Sequence, residues 1–139
     1  MFDLVLQDIE SVFRNLANGP DNLTIFPANY QGDIVKNGKP AREYNIFSIL
    51  PADSNNYAYG GDSKNITGVV AIKMFVPAGE GQVKLMKVAD KLDTVMDNKR
   101  LAHGTQLGTS YINIEGLDPY NESLYSGSYF IPFTIYKDI

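Results

Sequence analysis

The residue types most suggestive of chemistry lie in the turn PAGEGQ at residues 77–82, which follows an apolar segment and opens an amphipathic one. Glycine-rich turns in that position bind dinucleotides or phosphates. The dinucleotide fingerprint needs a third glycine, but that position is Lys84, and no Gly-Lys-Ser/Thr of a phosphate loop follows. Glu80 would also repel a phosphate at the positive end of a helix. The sequence therefore predicts a structural turn.

A second candidate is the segment beginning at Asp53, which starts like a calcium-binding loop. Such a loop needs glycine at its sixth position and glutamate at its twelfth. These positions are Ala58 and Lys64, so the pattern excludes a calcium loop of this type.

His103 is the only histidine, and a metal site or a Ser-His-Asp triad would need partners that no motif supplies. We interpret it as a cation near a helix C-terminus. Asp90, Asp93 and Asp97 share one side of a predicted helix, where paired carboxylates could do acid–base work. Interleaved lysines favour a solvated face of mixed charge instead. A small enzyme or ligand-binding domain is therefore the least favoured alternative, and no catalytic residue, cofactor or metal is predicted.

Composition narrows the class of protein further. The chain has 139 residues, which suits one domain over residues 1–139. Its net charge of −4 disfavours binding to nucleic acid or to an anionic membrane surface. We see no signal peptide and no membrane-spanning run. Cysteine is absent, which excludes disulfides and thiolate metal sites.

Helical periodicity predicts two helices that must carry any site. The first begins at residue 2 and is stopped by Asn18-Gly19-Pro20. Its apolar stripe is Phe2, Val5, Leu6, Ile9, Val12, Phe13 and Leu16. The second runs over residues 81–98. Its apolar stripe is Leu85, Val88, Ala89, Leu92, Val95 and Met96.

Apolar runs predict strands at residues 44–50, ended by Pro51, and at 67–76, which is apolar on both faces and belongs mid-sheet. Further strands are expected at 24–26, 110–115 and 128–137, with a loop at 52–65 and a turn-rich connection at 116–127. Pro132 places the last strand at an edge or a bulge. The predicted class is α+β: a mixed, mainly antiparallel sheet with two main helices packed on one face.

Nine tyrosines, several in loop-like sequence, raise the possibility of an interface, because tyrosine is enriched where proteins meet. The alternative, equally weighted, is that these rings cap the core. The candidate interface residues are Tyr57, Tyr59, Asp62, Lys64, Tyr120 and Tyr125. We expect the loop at 52–65 to be mobile in a monomer and ordered in an assembly.

Residues 70–96 resemble the strand–turn–helix core of phage tail terminator-like proteins. In that family a "vFVPaGxG" turn precedes a helix reading "ad.L...f". Here the residues are MFVPAGEG at 74–81, then Ala89-Asp90-Lys91-Leu92. LAHG at 101–104 resembles the step after the helix, and residues 110–115 and 129–135 resemble the closing strands.

The resemblance implies a structural virion protein without enzyme activity or cofactor. Such proteins form a homohexameric ring on the tail tube protein, end tube polymerisation and give a surface for the head–tail connector protein. DNA passes through the lumen without specific binding, and no membrane is involved. The expected location is the virion tail or neck, and the host cytoplasm during assembly. A head-completion or connector protein of the neck is the alternative.

Overall fold

A computed structural model describes residues 2–18, 25–27, 35–36, 39–40, 44–56, 63–79, 81–118 and 121–138. The elements follow one another in an order that confirms the predicted α+β class. They are α1 (Phe2–Asn18), β1 (Ile25–Pro27), β2 (Val35–Lys36), β3 (Lys39–Pro40), β4 (Tyr44–Asn56), β5 (Ser63–Pro77), α2 (Gly81–Met96), β6 (Gln106–Leu107), β7 (Tyr111–Asp118) and β8 (Asn121–Asp138).

The main sheet has the strand order β1-β4-β5-β8-β6, and β7 also pairs with β8. Only β1 and β4 run parallel in it; the other described pairs are antiparallel. β5 lies at the centre, and its residues Ile66, Val70, Ile72 and Met74 are fully buried. The mixed, mainly antiparallel sheet and the central position of this strand are therefore confirmed. β2 and β3 form a separate two-residue pairing.

Both helices cover the same face of the sheet, as predicted. Phe47 and Tyr129 both lie opposite Ile72 in the register of their strands, so the three share one face. The ring of Phe13 on α1 contacts that of Phe47 at a centroid distance of 4.7 Å. The hydroxyl of Tyr129 donates to Asp93 on α2. We call this side the helix face and the other side the open face.

The apolar stripes of the helices form the core together with the helix face of the sheet. Val5, Ile9, Phe13 and Leu16 are buried on α1, but Leu6 is 41% exposed and lies at the margin of the stripe. The predicted stripe of α2 is buried at every position except Val95, which is partly buried. The helix ends at Met96, two residues earlier than predicted.

Two predicted connections are wrong, because the strands extend into them. β4 continues through Pro51, and a bulge between Pro51 and Asp53 absorbs the residue that does not fit the ladder. Residues 52–56 and 63–65 are paired strand rather than loop, while residues 57–62 lie outside the described part. Likewise β7 and β8 pair through most of residues 116–127, with a bulge before Gly116, whose φ is +91°.

The prediction that Pro132 marks an edge strand or a bulge is also wrong. β8 has partners on both sides, and its pairing with β5 continues through Pro132 without a register shift. The carbonyl of Pro132 accepts a hydrogen bond from the Gly108 N–H at 2.8 Å. The N and C=O of one strand residue point to the same side, so the missing donor of Pro132 faces away from β5. The missing N–H of Pro132 faces the gap between the end of β6 and the start of β7. No hydrogen bond to β5 is therefore lost.

Candidate functional site

Only two of the six predicted interface residues lie in the described part of the chain. Tyr57, Tyr59, Asp62 and Tyr120 lie outside the described residues. Lys64 is in β5, where its backbone lies opposite Asn56 on β4 and Lys137 on β8. Tyr125 lies in β8 rather than in a loop, and its half-buried side chain packs against the core. An interface role for all six stays a prediction.

The glycine turn joins the central strand to the second helix. β5 ends at Pro77, Ala78 and Gly79 form the turn, and α2 begins at Gly81, whose φ is +47°. Glu80 lies outside the described residues. Directly behind the turn, Leu85 of α2 is fully buried. The turn therefore fixes the angle at which α2 leaves the sheet.

His103 has a partner that the sequence did not reveal. Its Nδ1 lies 2.7 Å from Oδ1 of Asp8 on α1, and its backbone N–H donates to the same oxygen at 2.9 Å. The Thr105 N–H donates to the other carboxylate oxygen at 3.3 Å. Because an ionised carboxylate only accepts hydrogen bonds, Nδ1 carries the proton. Asp8 therefore fastens α1 to the segment after α2, and the dipole interpretation of His103 missed this role.

Asp8 is only 3% exposed, so the ionisation of its carboxylate depends on these donors. Burial alone would raise the pKa, but the polar contacts with Thr105 and His103 outweigh it and keep the pKa below 3.8. The Thr105 hydroxyl has no hydrogen-bond partner, so its side chain lowers the pKa of Asp8 only as a nearby dipole. The cluster holds an ionised carboxylate at neutral pH in a structural role.

The predicted solvated face of α2 is wrong for two of its three aspartates. Oδ1 of Asp93 accepts from the Ser110 hydroxyl at 2.5 Å and from the Tyr129 hydroxyl at 2.6 Å. Oδ1 of Asp97 accepts from the Ser110 N–H at 3.0 Å. Asp90 remains exposed. These hydrogen bonds to Asp93 and Asp97 fasten α2 to the start of β7 and to β8.

Tyr129 is fully buried, and its pKa is raised above the usual value. Burial is the main cause, and the hydrogen bond to the Asp93 carboxylate adds to it, because a phenolate beside a carboxylate would be repelled. Tyr129 therefore stays neutral as a donor and is not poised as an acid or base near neutral pH.

Within the described ranges, no group of three or more His, Asp or Glu side chains could hold a metal ion. In the same part of the chain, no helix is long and apolar enough to cross a membrane.

The open face of the sheet carries a run of apolar side chains. Six apolar side chains lie on two adjacent rows of the register there and cross the whole sheet. We call them the apolar band: Leu50, Val69, Ala71, Tyr111, Phe130 and Pro132. Leu50 on β4 and Tyr111 on β7 are its two ends, and they are 52% and 55% exposed.

The interior of the band is ordered by ring stacking and flanked by one ion pair. The Tyr111 ring stacks on Phe130 with centroids 5.0 Å apart. One row away, Lys73 lies 3.6 Å from the Glu115 carboxylate, which also accepts from the Ser128 hydroxyl. These two opposite charges therefore neutralise each other beside the band.

The band ends at two sheet edges that the described chain leaves open. On the outer side of β4, β1 pairs only with the stretch from Asn45 to Phe47. On the far side of the sheet, β7 pairs with β8 alone among the described strands. Unpaired strand edges expose backbone donors and acceptors that can bind another strand. The two edges are therefore candidate surfaces for protein binding.

Comparison with known proteins adds to the fold and not to the function. No family model and no curated protein matches the chain. Ten chains of solved structures match it. One of them is 17% identical, with a TM-score of 0.69, over 97% of this chain and 95% of that one. At this identity the likeness supports the fold alone.

Proposed function

We propose that this chain is a structural protein of a phage virion, a tail terminator-like protein. It forms a homohexameric ring on the last ring of tail tube protein, ends tube polymerisation and presents the surface to which the head–tail connector binds. It acts in the tail or neck of the virion after assembly in the host cytoplasm.

The observation that carries this proposal is the place of the motif in the fold. The residues that resemble the terminator family form the central strand β5, the turn after Pro77 and the helix α2. The motif thus forms a strand–turn–helix unit at the packing centre of the domain, as the resemblance implies. The polar clusters around Asp8 and Asp93 make hydrogen bonds within the domain, which also supports a structural role.

A ring-forming subunit needs two unlike surfaces that bind each other, because closed rings are built from heterologous contacts. The two open edges at β4 and β7 differ in sequence and position, and each carries an exposed apolar side chain. The net charge of −4 suits a lumen through which DNA slides without sticking, since phosphate attraction is electrostatic.

The proposal is tested with the purified protein and the tail tube protein from the same genome. Native mass spectrometry should give a six-membered ring, alone or on the tube end, and its addition should shorten tubes that polymerise in vitro. A protein that neither forms a ring nor binds the tube would contradict the proposal. Binding to portal or adaptor instead of the tube would assign it to the neck.

The enzyme alternative has its own test. His103→Ala removes the imidazole that contacts Asp8, so a small loss of stability is expected. Assembly of the six-membered ring and the phage titre should not change. Loss of titre in a variant that still folds and forms rings would favour chemistry at His103.

A further inference from the structure

We infer that neighbouring subunits join by sheet continuation, in which the β7 edge of one copy pairs with the outer β4 edge of the next. This inference rests on the proposed ring and names the surface that builds it. The occupant of each edge is a second copy of this chain.

Strand direction fits such a contact. β4, β5, β8 and β7 alternate in direction across the sheet, because each neighbouring pair is antiparallel. β7 therefore runs opposite to β4. A rotation about an axis along the strands would keep the rows level and bring Tyr111 beside Ser48 of the next copy. An axis inclined to the strands displaces the next copy by one row, and β7 of the first copy then meets β4 of the second as an antiparallel pair. Antiparallel neighbours exchange well-aligned hydrogen bonds.

Each edge offers only a short stretch of regular strand, which restricts the register. Among the described residues, the unpaired stretch on β4 begins at Ser48, after the last pair with β1, and ends at Pro51, which lacks an N–H and precedes a bulge. On β7 it runs from Tyr111 to Ile114, where a second bulge begins. Bulges and prolines protect edges from unlimited pairing. What remains open on each side is three or four residues long.

The apolar band identifies a second copy as the occupant. Its two ends, Leu50 and Tyr111, are the exposed apolar side chains at the two open stretches. Leu50 and Tyr111 lie on adjacent rows of the register. With the next copy displaced by one row along the strands, Leu50 of one copy lies opposite Tyr111 of the next, and both become cross-strand neighbours. The band then continues around the ring on the open face. One contact thus covers both exposed ends, and the chain itself supplies each half.

Engineered disulfides test this contact directly, because the chain contains no cysteine. Cross-strand neighbours have Cα atoms about 4.5–5.5 Å apart, within reach of a disulfide. Leu50→Cys is combined with Tyr111→Cys in one variant and with Asn113→Cys in another, so that a shift of two residues is tolerated. A matched control pairs Leu50→Cys with Gln82→Cys, an exposed position on α2. Each variant is oxidised after assembly and run on a non-reducing gel.

We expect a ladder of covalent multimers from one of the two test variants, and none from the control or from any single-cysteine variant. If native mass spectrometry detects rings but neither test variant cross-links, the inferred edge contact is overturned while the proposed ring is retained. Dimers from Leu50→Cys or Tyr111→Cys alone would show that like edges meet, which also overturns it. If no ring forms with or without tube protein, the proposed function itself fails.

A charge variant gives an independent measure. Tyr111→Lys places a charge at the open edge, while Val83→Lys places one on α2, where Val83 is 66% exposed. Both variants should keep the circular dichroism spectrum of the wild type, and Tyr111→Lys should lower the thermal midpoint only slightly, because it removes the stack on Phe130. Only Tyr111→Lys should weaken ring formation: the protein concentration needed to form rings should rise at least tenfold. Equal assembly of the two variants would count against the inferred edge contact.

Discussion

At the scale of single residues, Asp8 shows how a carboxylate near the start of the chain stabilises a segment almost a hundred residues away. Its oxygens accept from two backbone N–H groups and from the His103 ring. A carboxylate can satisfy all of these donors at once, whereas an amide offers only one oxygen. The identity of this side chain therefore matters beyond its size.

We predict that Asp8→Asn lowers the free energy of unfolding at pH 7 by about 1–3 kcal/mol, because buried donors lose their acceptor. Since the folded pKa of Asp8 lies below its unfolded value, its contribution is complete above the unfolded pKa. It is lost as pH falls through the folded pKa. Urea unfolding between pH 7 and pH 2 should therefore show a shallower acid loss in the variant. The exposed Asp90→Asn should match the wild type; an equal effect of both would contradict this role.

Gly68 is the second residue whose identity is fixed by its surroundings. A Cβ at this position would lie 2.5 Å from the Leu50 carbonyl oxygen and 2.7 Å from the Phe133 ring. Neither neighbour can move freely, because one is backbone of β4 and the other is a buried ring of β8. Glycine is thus required for close approach at the centre of the sheet.

Gly68→Ala should accordingly cost about 3 kcal/mol, the upper part of the range for overpacking a core. Thermal or urea unfolding measures it. Gly79→Ala is the control, because nothing lies within 4 Å of its added methyl group, and its effect should stay within about 0.5 kcal/mol. Equal stability of the two variants would mean that β4 and β8 can shift apart.

At the scale of elements, α2 is attached at its C-terminal end by hydrogen bonds as well as by its apolar stripe. Asp93 accepts from Ser110 and Tyr129, one just before β7 and the other within β8. The apolar stripe alone would allow the helix to slide along the sheet. The directed bonds to Asp93 set its position, and with it the geometry of the turn after β5.

Tyr129→Phe should therefore lower the free energy of unfolding by about 2 kcal/mol, since it removes a hydrogen bond to a charged group. Because the folded pKa of Tyr129 is raised, the wild-type contribution is present below the unfolded pKa of about 10 and falls as pH rises above it. Unfolding measured from pH 8 to 11 should show less alkaline loss in the variant. Tyr111→Phe, at an exposed position, is the control; a matching loss there would contradict the assignment.

Elements with a strong period were predictable from the sequence, and their connections were not. The stripes of α1 and α2 and the doubly apolar β5 follow from side-chain spacing alone. β4 beyond Pro51 and the inner parts of the β7–β8 hairpin have no such period, because bulges there shift the side-chain alternation. The hydrogen-bond partners of Asp8 lie 95–97 residues away in the sequence. Those of Asp93 lie 17–36 residues away. Such pairs depend on tertiary packing, so no local pattern could have indicated them.

At the scale of the whole molecule, the sheet has a protected centre and two exposed sides. β5 is paired on both sides, whereas the outer edges of β4 and β7 have short stretches that pair with no strand in the described part of the chain. Backbone amides exchange with solvent according to whether they are hydrogen-bonded and how often the local structure opens. Assembly through the edges would therefore protect specific amides, in contrast to assembly through helices or loops.

We predict that ring formation slows hydrogen exchange in peptides covering residues 48–50 and 111–114, while β5 is equally protected in free and assembled protein. The outward-pointing amides at the two edges gain hydrogen bonds, whereas those of β5 already have them. Tyr111→Lys, measured under the same conditions, should keep the monomer pattern and supplies the reference for the unassembled state. Slower exchange confined to the outer surface of α2 would place the subunit contact on the helices. That outcome would leave Leu50 and Tyr111 as exposed side chains of a ring built another way.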